Sequence, residues 1–182
     1  MILYRCFPWA DRVGAAEPGG ALSFPREHQG DGRHDNPDEY GCLYVAGTEI
    51  STIVEQLQGL RGRRLTEQSL LRRGLPLAVA AIELPDAVQV IDLDEPALLA
   101  REQLRPSRIA TRHREVTQPQ ALALYRRYRF AAGLRWWSTF EALWTNFTVF
   151  ERAARRLRLR DVRALSLADP AVVEAAGFLG LA

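Results

Sequence analysis

No apolar stretch in this chain of 182 residues is long; the hydrophobic residues come in short blocks divided by glycine, proline or charge. A chain so divided must build its core from several short strands and amphipathic helices. Ile2 to Phe7 reads as a first strand, ended by Pro8. Cys42 to Ala46 reads as another, and after Gly47 the residue Thr48 is a good cap for a helix from about Glu49 to Gln58. Ile50, Ile53, Val54 and Leu57 form the apolar stripe of that helix, and Glu55 lies on the opposite, exposed side. Leu75 to Leu84 and Val88 to Leu93 predict two strands joined at Pro85-Asp86, with a helix from about Glu95 to Arg101. Thr117 is expected to start a further helix, carried by Ala121, Leu122, Leu124 and Tyr125. Gly133 to Ser138 reads as a turn into a strand, Trp144 to Phe150 as a second and Val162 to Leu167 as a third, before a helix starting near Asp169-Pro170. This mixture predicts an α+β or mixed α/β fold with a substantial antiparallel component, and the length suits one domain over 1–182.

The loop after Pro8 is long for a compact domain, and Gly14, Pro18, Gly19, Gly20 and Pro25 keep it irregular. It closes on Gly30-Asp31-Gly32-Arg33, whose glycines can bring backbone close to a ligand. Arg33 could clamp phosphate oxygens in a bidentate fork, although an arginine in such a loop is ordinarily solvated. Tyr44, in an apolar strand, could pack flat on a ring while its hydroxyl makes a hydrogen bond; the plain reading is a core tyrosine. Glu55 could stabilise positive charge at a sugar carbon. Ser138 could orient a ligand, but with no recognisable histidine base it is a poor nucleophile. Trp136 and Trp137, just before it, are expected in the core.

Composition narrows the classes. The 24 basic residues are all arginine and the net charge is only +2, which does not suit a nonspecific nucleic-acid binder. Two local runs, Arg61 to Arg73 and Arg152 to Arg160, are expected to be solvated faces. Cys6 and Cys42 are too few for a disulfide framework or a cysteine-built zinc site. His28, Asp31, His34 and Asp35 crowd one loop with no standard zinc spacing, so no metal is expected. Gly30-Asp31-Gly32 lacks the third glycine and the following helix of a dinucleotide fingerprint. With neither a signal peptide nor a membrane-length apolar run, the expected location is the cytoplasm.

In order and spacing, several blocks together resemble the RES domain family: Tyr4-Arg5, Gly32-Arg33-His34-Asp35-Asn36-Pro37, Leu43-Tyr44-Val45-Ala46, Ile53-Val54-Glu55 and Gly133-Leu134-Arg135-Trp136-Trp137-Ser138. The steps from Arg33 to Tyr44 and from Tyr44 to Glu55 are equal, as in the family motif. The resemblance implies an ADP-ribosyltransferase-like domain with a twisted, largely antiparallel sheet and flanking helices. It also implies an NAD-degrading toxin that cleaves the nicotinamide–ribose bond by hydrolysis or phosphorolysis. A protein ADP-ribosyltransferase using the same NAD site, or an inactive binding module, stands as the alternative. By resemblance Arg33, Tyr44, Glu55 and Ser138 are the active-site residues, with Arg5 a further NAD-binding residue. The partner it implies is a cognate Xre-type antitoxin, with a homodimer allowed inside the complex and no direct contact to nucleic acid or membrane. His34 departs from the family, which commonly has an aromatic residue after the arginine.

Overall fold

The computed structural model describes residues 1–109 and 111–181. Along the chain run strands β1 (Ile2–Pro8) and β2 (Cys42–Ala46), helix α1 (Glu49–Leu57), then β3 (Leu71–Arg72), β4 (Leu75–Glu83) and β5 (Ile91–Asp92). Helices α2 (Pro96–Arg101), α3 (Pro106–Ile109) and α4 (Arg114–Arg127) come next, followed by β6 (Gly133–Trp137), β7 (Thr145–Phe150), β8 (Arg158–Ala164) and α5 (Pro170–Leu179). This is the mixed α/β fold, with largely antiparallel pairing and flanking helices, that the sequence predicts. The residues divide into two compact units: Met1–Ser23, Val45–Leu84 and Arg158–Ala182 make one, and Phe24–Tyr44 with Pro85–Leu157 the other.

In the first unit β4 is central. It pairs antiparallel with β1, from Ile2↔Glu83 to Pro8↔Leu77, and with β8 on its other side, with a register shift between Ala81 and Ile82. The apolar sequence of β4 is buried accordingly, with Leu77, Ala78, Ala80 and Ile82 fully enclosed. Helix α1 starts where Thr48 accepts a hydrogen bond from the Ser51 amide at 3.3 Å, as its cap position demands. It packs on β1 and α5 and buries Ile53, Val54 and Leu57. The Thr52 hydroxyl also accepts from the Cys6 amide at 2.8 Å, tying the helix to the strand that carries Arg5. Glu55 is therefore half-buried rather than exposed, because polar Ser51 and Thr52 are themselves drawn inside. Helix α5 opens at Asp169-Pro170 as predicted, with the Asp169 carboxylate accepting from the Ala171 amide at 3.0 Å.

In the second unit β6 and β7 pair antiparallel from Gly133↔Val149 to Trp137↔Thr145. Strand β5 runs parallel to β6. Helix α4 buries Ala121 and Leu124 in a cluster that includes Tyr40, Ile109, Leu134, Trp136 and Phe150. Tyr40 stacks on Tyr125 at 4.2 Å between ring centres and meets Phe150 edge-on.

Four further expectations need correction. The strand sought over Val88 to Leu93 is only Ile91–Asp92, because Val88 bonds back to the Pro85 carbonyl in a turn; it pairs with β6. The strand sought at Val162 to Leu167 starts four residues earlier and ends three earlier, at Arg158–Ala164, since its register follows backbone pairing with β4 while most of its side chains face water. Helix α4 begins at Arg114, because its charged first turn gives no apolar signal and Pro119 is accommodated inside it. The arginine runs are not wholly solvated. Arg72 donates to the carbonyls of Ser69, Leu71 and Gln56, and Arg152 donates to those of Tyr125, Tyr128 and Arg129 at the end of α4. There Arg152 satisfies carbonyls that the helix cannot, where its dipole favours a cation.

Gly133 lies against β7 with no room for a side chain: a Cβ would sit 3.0 Å from the Thr148 carbonyl carbon and the Val149 Cα. Gly133→Ala should destabilise the protein by roughly 1–3 kcal/mol, read as a lowered urea midpoint at unchanged slope.

Candidate functional site

The Gly30 to Asp35 loop is held through both its amides and its carbonyls. The Asp35 carboxylate accepts from the amides of Gly30 (2.8 Å) and Gly32 (2.7 Å), and from the Tyr44 hydroxyl (2.6 Å). Helix α4 supplies the donors for the carbonyl side. Gln118 Nε2 reaches Gly30 (2.7 Å) and Gly32 (2.9 Å), Arg114 Nε reaches Asp31 (2.8 Å), and Thr117 Oγ1 reaches Arg33 (2.5 Å). Asn36 returns a bond to the Gln118 carbonyl at 3.0 Å. Gly32 is the pivot of the loop, since a Cβ there would stand 2.5 Å from Asp35 Oδ1 and 2.6 Å from the Tyr44 oxygen.

This frame determines where Arg33 points. Its side chain is buried, with Nη1 donating to the Ile109 carbonyl at 2.8 Å and to that of Thr111. The guanidinium lies 4.6 Å from the Trp136 ring centre, a cation–π contact with a desolvated partner. An arginine that periodicity leaves in a solvated loop is thus an internal cation in a fixed orientation.

Tyr44 uses its hydroxyl inside the loop, donating to Asp35 and accepting from the His34 amide at 2.9 Å. Burial, followed by the nearby Cys42 and Asp35, raises its pKa well above the usual phenol value, so the phenol stays protonated. His34 stands where, by the resemblance, the family commonly has an aromatic residue. It is buried, meets Trp136 edge-on at 5.4 Å, and bonds Thr148 Oγ1 through Nδ1 at 2.8 Å. The same hydroxyl accepts from Trp136 Nε1 at 3.2 Å. Burial, then the positive charges of Arg33 and Arg114, pushes the His34 pKa well below 6.5 and keeps the ring neutral.

Ser138, just past β6, is buried, and its Oγ accepts from the Phe140 amide at 3.1 Å, which leaves the hydroxyl proton as a donor. Arg33, Tyr44 and Ser138 all belong to the second unit, whereas Glu55 and Arg5 belong to the first. Glu55 Oε2 accepts from the Gln58 amide group at 3.3 Å. Arg5 donates to the carbonyls of Ala21 (2.7 Å), Gly20 (3.3 Å) and Ser23 (3.4 Å), which anchors the long glycine-rich loop. Burial lowers its pKa to about 10, still far above neutrality, so it remains a cation. Asp35, Thr117, Gln118 and Arg114 were missed in the sequence; Thr117 and Gln118 look like ordinary residues of a helix start, and only the density of polar groups around Gly32 hinted at Asp35.

The model of the RES domain matches residues 2–169. The chain belongs to the RES family. No curated protein matches it. Among solved structures, the chain is similar in fold to the toxin in the crystal structure of the M. tuberculosis MbcT–MbcA toxin–antitoxin complex, at TM-score 0.67 and 19% identity, covering 99% of this chain and 87% of that one. The RES match spans the five residues to which the resemblance gives a role, from Arg5 to Ser138. Among the described residues no group of three or more His, Cys, Asp or Glu is arranged to hold a metal ion, and no helix is long and apolar enough to cross a membrane.

Two outcomes follow for the RES loop. Asp35→Ala removes acceptors from two amides and a phenol, and should cost about 3 kcal/mol or more in a denaturant titration. In the unfolded chain His34 binds a proton near pH 6.5, while in the native state its pKa is lower, so between those values the unfolded state holds more protons. Stability should therefore fall as pH drops below about 6.5, and His34→Phe should flatten that part of the stability–pH curve.

Proposed function

We propose that this chain is an NAD-degrading toxin of a toxin–antitoxin system, acting as a single RES domain in the cytoplasm with a cognate Xre-type antitoxin as its partner. The observation that carries the reading is the RES match over residues 2–169, which takes in all five residues to which the family resemblance gives a role. The organisation of the Arg33 loop supports it, because a fixed, desolvated guanidinium is what an anionic pyrophosphate requires. The likeness in fold to a toxin solved in complex with its antitoxin is consistent with an antitoxin partner.

In the proposed reaction the bond between the ribose carbon and the nicotinamide nitrogen breaks, and its electron pair leaves with neutral nicotinamide. Water or phosphate adds to the ribose carbon, giving ADP-ribose with release of a proton, or its 1″-phosphate. Arg33 neutralises the pyrophosphate, with Arg5 as a further NAD-binding residue. Ser138 donates its free hydroxyl proton to orient the ligand. Glu55 stabilises the positive charge that builds on the sugar as the bond lengthens. Tyr44 offers a ring face to the nicotinamide end, while its hydroxyl keeps the loop in place.

Removing one preorganised charge of this kind costs ~3–4 kcal/mol of barrier. Glu55→Ala should therefore slow NAD loss by about 100-fold or more. The assay follows nicotinamide release and product mass, with and without phosphate, on protein free of antitoxin. A folded Glu55→Ala that keeps the parental rate would remove Glu55 from the mechanism. Label from NAD found on protein, in place of free ADP-ribose or its phosphate, would shift the reading to protein ADP-ribosylation.

A further inference from the structure

Arg114 and Arg152 of the second unit each leave one buried guanidinium nitrogen without a partner among the described residues, and of the two it is Arg114 that bonds the Arg33 loop. Its Nε is fixed on the Asp31 carbonyl at 2.8 Å, so the guanidinium is held against the same loop that orients Arg33. Its Nη1 is shut away from solvent and has no hydrogen-bond partner among the described residues, although the residue as a whole is only half-buried. Among the described residues Arg114 forms no ion pair; the neighbouring Glu115 carboxylate is engaged by His113 at 2.8 Å. Both Arg114 and Arg33 act on His34 as nearby positive charges.

A buried N–H without an acceptor is rare in a native structure and calls for an acceptor that the protein does not supply. Here the missing partner has a definite character. The donor belongs to a permanent cation, a second cation lies close by, and the anchor through Nε leaves the fork of the guanidinium for something else. Arg33, for its part, has already given Nη1 to two backbone carbonyls.

We propose that Arg114 is a second anion-binding residue of the Arg33 site, and that it takes a phosphate oxygen of the NAD pyrophosphate. This rests on the NAD reading proposed above and adds to it a binding residue from α4. Because Nη1 is closed to solvent, binding requires the guanidinium to turn about its Nε anchor so that Nη1 meets the incoming oxygen. The loop then serves two purposes: its carbonyls orient Arg114, and its own side chain contributes Arg33.

The competing account is that Arg114 merely anchors the loop. Gln118→Ala separates the two, because it removes two bonds to the same loop, at Gly30 and Gly32, without changing charge. Inorganic pyrophosphate and ADP-ribose are titrated calorimetrically into the parent, Arg114→Gln and Gln118→Ala, so that binding is read independently of turnover. Arg114→Gln should weaken both ligands by about ten-fold or more. It should raise KM for NAD by a similar factor with kcat largely kept, as expected when a ground-state contact is lost, and should make binding less sensitive to salt. Arg114→Lys should recover part of the affinity. Parental affinity in Arg114→Gln would overturn the proposal, as would equal weakening by Gln118→Ala, which would assign Arg114 to loop anchoring. A parent that cleaves NAD alongside an indifferent Arg114→Gln would refute this inference alone. A parent that neither cleaves NAD nor binds either ligand would refute the NAD reading with it.

Discussion

The Asp35 carboxylate is the contact on which the second unit is organised. Through two amides and a phenol it fixes a glycine-bearing turn that has no strand or helix of its own to hold it. The carbonyls on the other side of that turn are taken up by the first two turns of α4. With donors and acceptors both satisfied, a segment that would otherwise be among the softest in the chain becomes a rigid platform. Arg33 can be buried because its backbone has nowhere else to go.

That burial has an electrostatic consequence. Arg33 stacks on Trp136, and His34 meets the same tryptophan from another side. An imidazole in this position serves as a flat, neutral ring. A phenylalanine or tyrosine could pack similarly, but would not offer Nδ1 to Thr148. The departure of His34 from the family pattern therefore keeps the packing and adds a hydrogen bond.

Much of the fold was legible in the sequence because the relevant signals are local. β2 was bounded by Gly47 and Thr48, α1 by its cap and apolar stripe, and α5 by Asp169-Pro170, and all three lie where those residues put them. The errors fell where pairing, not side-chain burial, decides. β8 shows mostly exposed side chains and takes its register from β4, so its apolar residues misplace it. The family motif drew attention to Arg33, Tyr44 and Ser138, but not to what holds them. Asp35 and Gln118 act through backbone groups far away in the chain or hidden in a turn, and no periodicity records such contacts. Glu55 shows the same limit, since its helix buries polar Ser51 and Thr52 that an apolar stripe assigns to the outside.

The bonds from α4 to the loop join residues 83 to 88 positions apart. At ribosomal speeds of about 5–20 residues per second, such a gap corresponds to roughly 4–18 s of synthesis. Throughout that interval the emerging chain has Arg33 but none of the α4 groups that fix its loop. For an enzyme that consumes NAD, as proposed here, the nascent polypeptide would lack an ordered phosphate clamp until α4 had left the ribosome. The earliest point at which the Arg33 loop can become ordered is then set by the sequence distance between a turn and the helix that grips it.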